Sequence, residues 1–379
     1  MQINIHTQID EIPADDWNRL VQDHQPFLTH GFLAAMEHHG CVGPKFGWLP
    51  RHIAIYEDGQ LVAAMPLYEK HNSYGEFVFD HAWADAYRQH GLPYFPKLVS
   101  AIPYTPATGQ RLLCPEQRRD ELFPILLKNA LQLTEQLDAS SFHCLFPLQD
   151  EHQFMEQQQL LTRHDCQFHW RNEGYRDFED FLERLTAKKR KNIRQERRRV
   201  IESGVSLRCL NGHTANEDDW RNFTRFYDQT FEEKWGMATF NFPFFLEVAR
   251  QIPEQILLVL ADLGGRCIAG SLMYHSNTTL YGRHWGSTHQ VDSLHFEACY
   301  YQGIEYCIER GLEIFEPGAQ GEHKIARGFW PTLTRSSHWL CDPRFRKPIA
   351  SYVQHEQTAI KEYMQELEAK LPYKNGKQV

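Results

Sequence analysis

Residues 280–331 read LYGRHWGSTHQVDSLHFEACYYQGIEYCIERGLEIFEPGAQGEHKIARGFWP, and this stretch decides the fold. Its start, 280–287, is aromatic-rich and reads as a strand. From Phe296 the apolar side chains fall at 296, 299, 300, 304, 307 and 308, the spacing of a helix with one buried face. Gly311 is placed to take the left-handed conformation that stops such a helix. The alternation of 312–315 then predicts a second strand with one solvated face. A helix between two strands is a crossover, so the two strands are expected to be parallel. The loop at 316–324, EPGAQGEHK, leaves the carboxyl end of the second strand, where open α/β sheets bind their ligands.

Working outward, the chain repeats itself. The hairpin pattern 52–68, turning at Asp58-Gly59, returns at 256–274, turning at Gly264-Gly265. Segment 62–68 aligns without a gap on 268–274. Each copy continues into an aromatic strand opening Tyr-Gly, at Tyr74-Gly75 and Tyr281-Gly282, and then a helix and another strand. The expectation is an internally duplicated α/β protein, with a first domain over 1–170 and a second over 171–379. A length of 379 residues agrees with two cores.

Composition narrows the class. At 42% hydrophobic and 13% aromatic the chain is globular, and its net charge of −9 offers no general attraction to nucleic acid or anionic lipid. Nine cysteines form no CxxC pair and read as thiols of a reducing compartment. The amino terminus lacks a signal-peptide pattern and no apolar run is long enough to cross a bilayer, so a cytoplasmic location is expected. The 21 histidines include no spacing with a carboxylate in register, and no metal site is expected. Phosphate-cradling loops of the GxxxxGK[ST] or GxGxxG kind are absent, as is a GxSxG elbow.

One segment breaks the acidic balance. The predicted helix 182–203 carries eight basic residues and one acidic residue between Lys188 and Arg199. Lys188, Lys189, Arg190, Lys191, Arg194, Arg197 and Arg198 are the candidate contacts to a polyanion; the alternative is a helix face neutralised by the second domain's own acids. Acyl transfer to an amine needs a proton acceptor, donors for a tetrahedral oxyanion and cations for an anionic donor. Glu322, His323 and His284 are the candidate acceptors. Lys324, Arg327, Arg283, Gln320 and Trp285 are the candidate substrate contacts, and Tyr104 and Thr105 of the first copy are expected to face the same cleft.

These residues carry a resemblance. PYTP at 103–106, GQRLL at 109–113, QFHWRN at 167–172, KKRK at 188–191, TFEEKWG at 230–236, RHWG at 283–286, HFEACYY at 295–301 and GAQGEHK at 318–324 resemble the FemAB-like branch of the GNAT-type N-acyltransferases, described as predicted N-acyltransferases or peptidoglycan biosynthesis/recognition proteins. The resemblance implies two tandem GNAT-like domains with mixed sheets flanked by helices. It implies an N-acyltransferase that moves an acyl or aminoacyl group to an amine acceptor such as a peptidoglycan-precursor peptide. No bound cofactor is expected, and the donor is an aminoacyl-tRNA or an acyl-CoA. Acetyl-CoA enzymes of the GNAT type hold pyrophosphate on a glycine-rich helix start. The corresponding starts here, 114–120 and 288–295, contain no glycine, which points away from acetyl-CoA. The rival class is a non-catalytic binding protein that recognises RNA or a cell-wall precursor.

Overall fold

The computed structural model describes residues 1–233, 236–319 and 321–374. The chain divides into two compact units, one of residues 1–165 with 333–362, the other of 166–332 with the segment from Tyr363 onward.

In the first unit, strands β1 (Gln2–His6), β3 (His52–Glu57) and β4 (Gln60–Met65) form an antiparallel sheet in the order β1-β3-β4. Strands β2 (Trp48–Pro50), β5 (Tyr68–Lys70), β6 (Lys97–Ser100) and β7 (Ser141–Leu145) pair in the order β2-β5-β6-β7. The turn between β3 and β4 is the Asp58-Gly59 pair, both at positive φ, as a two-residue hairpin requires. Pro66 lies between β4 and β5, where its missing N–H interrupts no ladder. β6 and β7 are parallel, joined through the helix Arg119–Gln136. That helix lays Leu122, Leu126 and Ala130 on a core with Ile53, Ile55, Met65, Leu98 and Phe142.

The second unit has β8 (Leu161–Arg171, whose first residues belong to the first unit), β9 (Ser206–Leu210), β10 (Ile256–Leu263), β11 (Arg266–His275), β12 (Thr279–Ser287) and β13 (Ile314–Glu316), in the order β8-β13-β12-β11-β10-β9. β9 to β12 are antiparallel neighbours, and β12 and β13 are the parallel pair expected from the crossover. Phe315, Leu280, Ile304 and Cys307 are fully buried in one cluster with Trp170, Phe181 and Phe329. Each such side chain contributes about 1.5–3 kcal/mol against the entropy of ordering it. Gly311 ends the crossover helix at φ 67°. At Gly303 an added Cβ would lie 2.4 Å from the Phe315 ring, so only glycine lets helix and strand approach this closely.

The fold class is α/β with mixed sheets flanked by helices, in two tandem GNAT-like units. Each has an antiparallel hairpin, a helical crossover and a parallel pair. Two features differ from the sequence reading. The crossover helix is not regular: residues Glu297–Tyr301 form a π-helical turn ahead of Gln302–Arg310. The second half of the chain is also not one contiguous body. β14 (Trp330–Leu340) pairs antiparallel with β7 from Ser336↔Leu145 to Leu340↔Ser141, and Phe345, Ile349 and Val353 of the following helix pack with Trp83 and Tyr87. Segment 333–362 therefore completes the first unit. The ladder and the apolar contacts it makes there outweigh its position in the sequence.

Candidate functional site

The parallel pair β12/β13 stops at Tyr281↔Glu316. Beyond it Pro317 has no N–H to donate, and β12 carries a bulge: its partners on β11 step from Gly282↔Met273 to His284↔Leu272, leaving Arg283 unpaired in the ladder. The two strands separate there over a cavity of about 270 Å³. Arg283, His284 and Trp285 line it from β12, His295 and Tyr300 from the irregular helix, and His323 and Lys324 from the loop after β13. The bulge and the π turn both re-aim side chains, and both sit at this cavity.

Lys324 is the buried cation of the site. Its side chain is 2% exposed and its ammonium donates to the Gly318 carbonyl at 2.7 Å. Burial pulls its pKa down to about 7, opposed only by Cys299. Near neutrality it is thus divided between amine and ammonium. Burial likewise lowers Arg283 to about 10, partly offset by Tyr274 and Glu316, so it stays a cation. His323 is bonded through Nε2 to the Tyr300 hydroxyl at 2.8 Å. Burial first, then Lys324 and Arg327, hold its pKa below the usual imidazole value, while burial raises that of Tyr300. At neutral pH this pair is an uncharged phenol hydrogen-bonded to an uncharged imidazole.

The other expected residues fare differently. His284 lines the cavity, but its ring packs against Tyr227 and Phe240 at 5.1 and 5.4 Å, and burial then Arg283 drive its pKa well below 6.5. Such an imidazole is a weak proton acceptor. Glu322 is exposed, lines no part of the cavity, and accepts from Tyr363 at 2.9 Å. Both Glu322 and His323, in the short 3-10 turn Glu322–Arg327, are exposed, but only His323 borders the cavity, at its open edge. Arg327 is buried and its donors are engaged by Glu196, the Tyr301 hydroxyl and the His323 carbonyl. Three of its five N–H groups thus brace the loop, and its burial keeps it out of the cavity lining. Gln320 lies outside the described residues. Trp285 borders the cavity with its ring 5.4 Å from His295.

In the first unit, Tyr104 and Thr105 are buried and bonded to the carbonyls of Cys41 and Pro103. They are interior anchors and not ligand contacts. The same unit closes the end of its own parallel pair. Arg111 sits on the Leu145 carbonyl at the end of β7, and Glu151 accepts from the backbone N–H groups of Arg111 and Leu112. The Gly109 N–H also donates to the Phe146 carbonyl, so the segment 101–114 lies against the end of β7.

The basic helix is Ala187–Glu202. Arg197 is held by Glu297 and Glu305, Arg194 by Glu179 and Arg199 by Asp292. Arg197 is thus not free for a polyanion, because buried and half-buried acids of the same unit close on it, whereas the Arg194 pair is exposed and only weakly held. Arg190 reaches the Leu185 carbonyl and Lys189 is half-buried. Lys188, Lys191 and Arg198 remain as an exposed stripe.

Sequence reasoning missed Tyr300 and His295. Tyr300 follows the apolar spacing of the crossover helix and reads as core, and it lies in the π turn; His295 precedes that turn, and no local spacing marks it. Among the described residues no group of three metal-ligating side chains occurs, and no helix is long and apolar enough to cross a membrane.

Known structures share this fold at low identity. FemX superposes with a TM-score of 0.53 at 12% identity, covering 92% of this chain and 100% of FemX. The C-terminal DUF2156 domain of a proposed lysylphosphatidylglycerol synthetase from Agrobacterium fabrum also gives 0.53, at 9% identity over 93% of this chain and 96% of that one. A conserved protein of unknown function from Bacteroides thetaiotaomicron gives 0.53 at 10% identity, over 89% and 99%. No curated protein sequence matches the chain. The model of the FemAB-like family, described as peptidoglycan biosynthesis/recognition, matches residues 8–375. On that match, over nearly its whole length, the chain belongs to the FemAB-like family.

Proposed function

We propose that the cavity of the second unit transfers an acyl or aminoacyl group to an amine, with a peptidoglycan-precursor peptide as the acceptor class, in the cytoplasm. The observation that carries this is the convergence of Lys324, Arg283 and the Tyr300–His323 pair on one cavity between separating parallel strands. The attacking amine forms the new N–C bond and the carbonyl becomes an oxyanion. Tyr300 takes the amine proton as its own passes to His323. Lys324, in its ammonium form, and Arg283 supply the positive charge that the oxyanion and an anionic donor need. Collapse of the intermediate breaks the bond to the donor's oxygen or sulfur, and His323 returns the proton to that leaving group. An anion entering the cavity raises the affinity of Lys324 for a proton, so the charged form is the bound form.

The stripe of Lys188, Lys191 and Arg198 is the surface proposed for a polyanionic donor such as tRNA. The test is a screen of aminoacyl-tRNA and acyl-CoA donors against amine acceptors. Turnover should fall about 10²–10⁴-fold in His323→Asn and at least tenfold in Tyr300→Phe, with Glu322→Gln near wild type. Substrate binding without turnover under every donor would support the binding-protein reading. Turnover untouched by both changes would place the chemistry elsewhere.

A further inference from the structure

The first unit has a cavity of its own that the transfer reaction does not use. It measures about 250 Å³ and is walled by Arg163 and His164 of β8, Arg335 and Ser336 of β14, and Glu356 of the helix Pro343–Glu368. Two charges here are already matched: Arg163 is bidentate to Glu356, at 2.7 and 2.5 Å, and gives a third donor to the Phe79 carbonyl. Arg335 is not matched. It is half-buried, and no hydrogen bond or ion pair of its guanidinium is made among the described residues. The cavity also carries the exposed Asp165 side chain, and the Arg335 guanidinium keeps its hydrogen-bonding capacity for a ligand. His164 adds a second unmet demand, because its Nδ1 is buried with no hydrogen-bond partner.

The wall behind these groups is rigid and polar. Ser336 Oγ meets His338 Nε2 at 2.8 Å, and His338 meets His143 at 2.5 Å. His143 in turn contacts the Ser141 hydroxyl at 2.7 Å. Ser336, His338 and His143 are all at most 3% exposed. Burial drives both imidazoles far below their ordinary pKa, so the chain is uncharged and brings no counter-ion to Arg335. It does hold the Ser336 hydroxyl in place as a neutral hydrogen-bonding group at the cavity edge.

We propose that this cavity is a second ligand site, which takes the oxyanion end of a small molecule, a carboxylate or a phosphate, on Arg335, with His164 and Ser336 as its neutral hydrogen-bonding partners. The volume sits just below that of ordinary small-molecule pockets, which suits the end of an amino acid, a short peptide or a phosphate monoester. A planar fork is the group that suits such oxyanions. This inference stands apart from the transfer chemistry, which uses other residues in the other unit.

The test titrates the full chain with N-acetylglycine and, separately, inorganic phosphate, followed by calorimetry and by the ring-nitrogen NMR shift of His164. Saturable binding of at least one probe is expected, with a shift at His164, and the stronger probe identifies the carboxylate or the phosphate source. Arg335→Gln should weaken that probe at least tenfold, Arg335→Lys should recover part of the loss, and Lys324→Met in the other cavity should leave it unchanged. No saturable binding of either probe to the wild type would overturn the proposal. So would binding with no His164 shift, or binding lost in Lys324→Met and retained in Arg335→Gln. Should Arg335→Gln fail to fold, the wild-type His164 shift and the Arg335→Lys titration decide alone.

Discussion

Lys324 Nζ donates to the carbonyl oxygen of Gly318, 2.7 Å away and six residues earlier in the same loop. This bond folds the loop after β13 back on itself and holds an amine in the floor of the cavity. Its hydrogen-bond partner there is a carbonyl and not a carboxylate, so burial sets its protonation.

The cost of that arrangement is measurable. The folded-state pKa of Lys324 is about 7 against 10.5 for a free lysine, so the folded chain binds fewer protons across that window. Wild-type stability therefore rises as pH climbs from 7 towards 10.5, and below 7 the buried charge is carried in full. Lys324→Met should melt higher than wild type at about pH 6. The gain should shrink towards pH 10, where only the lost Gly318 hydrogen bond, about 1 kcal/mol, separates the two. Turnover should drop at least tenfold in the same variant. Thermal melts across pH, paired with the transfer assay, check both; a variant less stable at pH 6 would refute the burial argument.

Arg197 and Arg198 are neighbours with opposite expected behaviour. Arg197 closes on Glu297 and Glu305, and its guanidinium lies over the Phe178 ring at 4.6 Å. Arg197→Ala strands the buried Glu297 carboxylate and should cost about 2–3 kcal/mol, less than a fully enclosed pair because the arginine is partly exposed. Arg198→Ala should stay within about 0.5 kcal/mol. Urea denaturation of the two variants compares them directly.

Retention on tRNA or heparin should track the exposed stripe. Lys188→Gln, Lys191→Gln and Arg198→Gln together should flatten the dependence of retention on salt by roughly the number of phosphate contacts removed. If Arg194→Gln alone has the same effect, the Glu179 pair does not hold that side chain in solution.

In the first unit Lys97 meets both Glu76 and Asp80 in a fully buried cluster. Lys70 acts on the same two carboxyls from nearby, and of the two acids Glu76 is the one that holds a proton more readily. Burial pushes Glu76 up to about 7, and its Oε1 has no hydrogen-bond partner. For Asp80 burial is outweighed by Lys97 and His143, which hold its pKa low. Glu76→Gln, which mimics the neutral acid, should cost less than about 1 kcal/mol. Asp80→Asn leaves Lys97 without its counter-ion and should cost about 3–5 kcal/mol. Equal costs in urea melts would mean the proton is on the other carboxyl.

The order of elements was legible in the chain because local physics sets it. The Asp58-Gly59 turn, the Gly311 helix stop, the repeated hairpin and the parallel crossover all follow from residues a few positions apart. His323 and Lys324 were legible as cavity-lining candidates for the same reason, since they lie in the loop at a strand's carboxyl end. The partners those residues meet were not. Arg197 reads as one more cation on a basic helix until Glu297 and Glu305, about a hundred residues on, close around it. Tyr300 reads as core until a π turn rotates it towards His323. Glu322 and His323 are adjacent in sequence, yet only His323 borders the cavity. The return of 333–362 to the first unit depends on β7 and on Trp83 and Tyr87, far from it in sequence. Periodicity and turn chemistry act over a few residues. Charge pairing, burial and the direction of a side chain are settled by whatever the rest of the chain packs alongside.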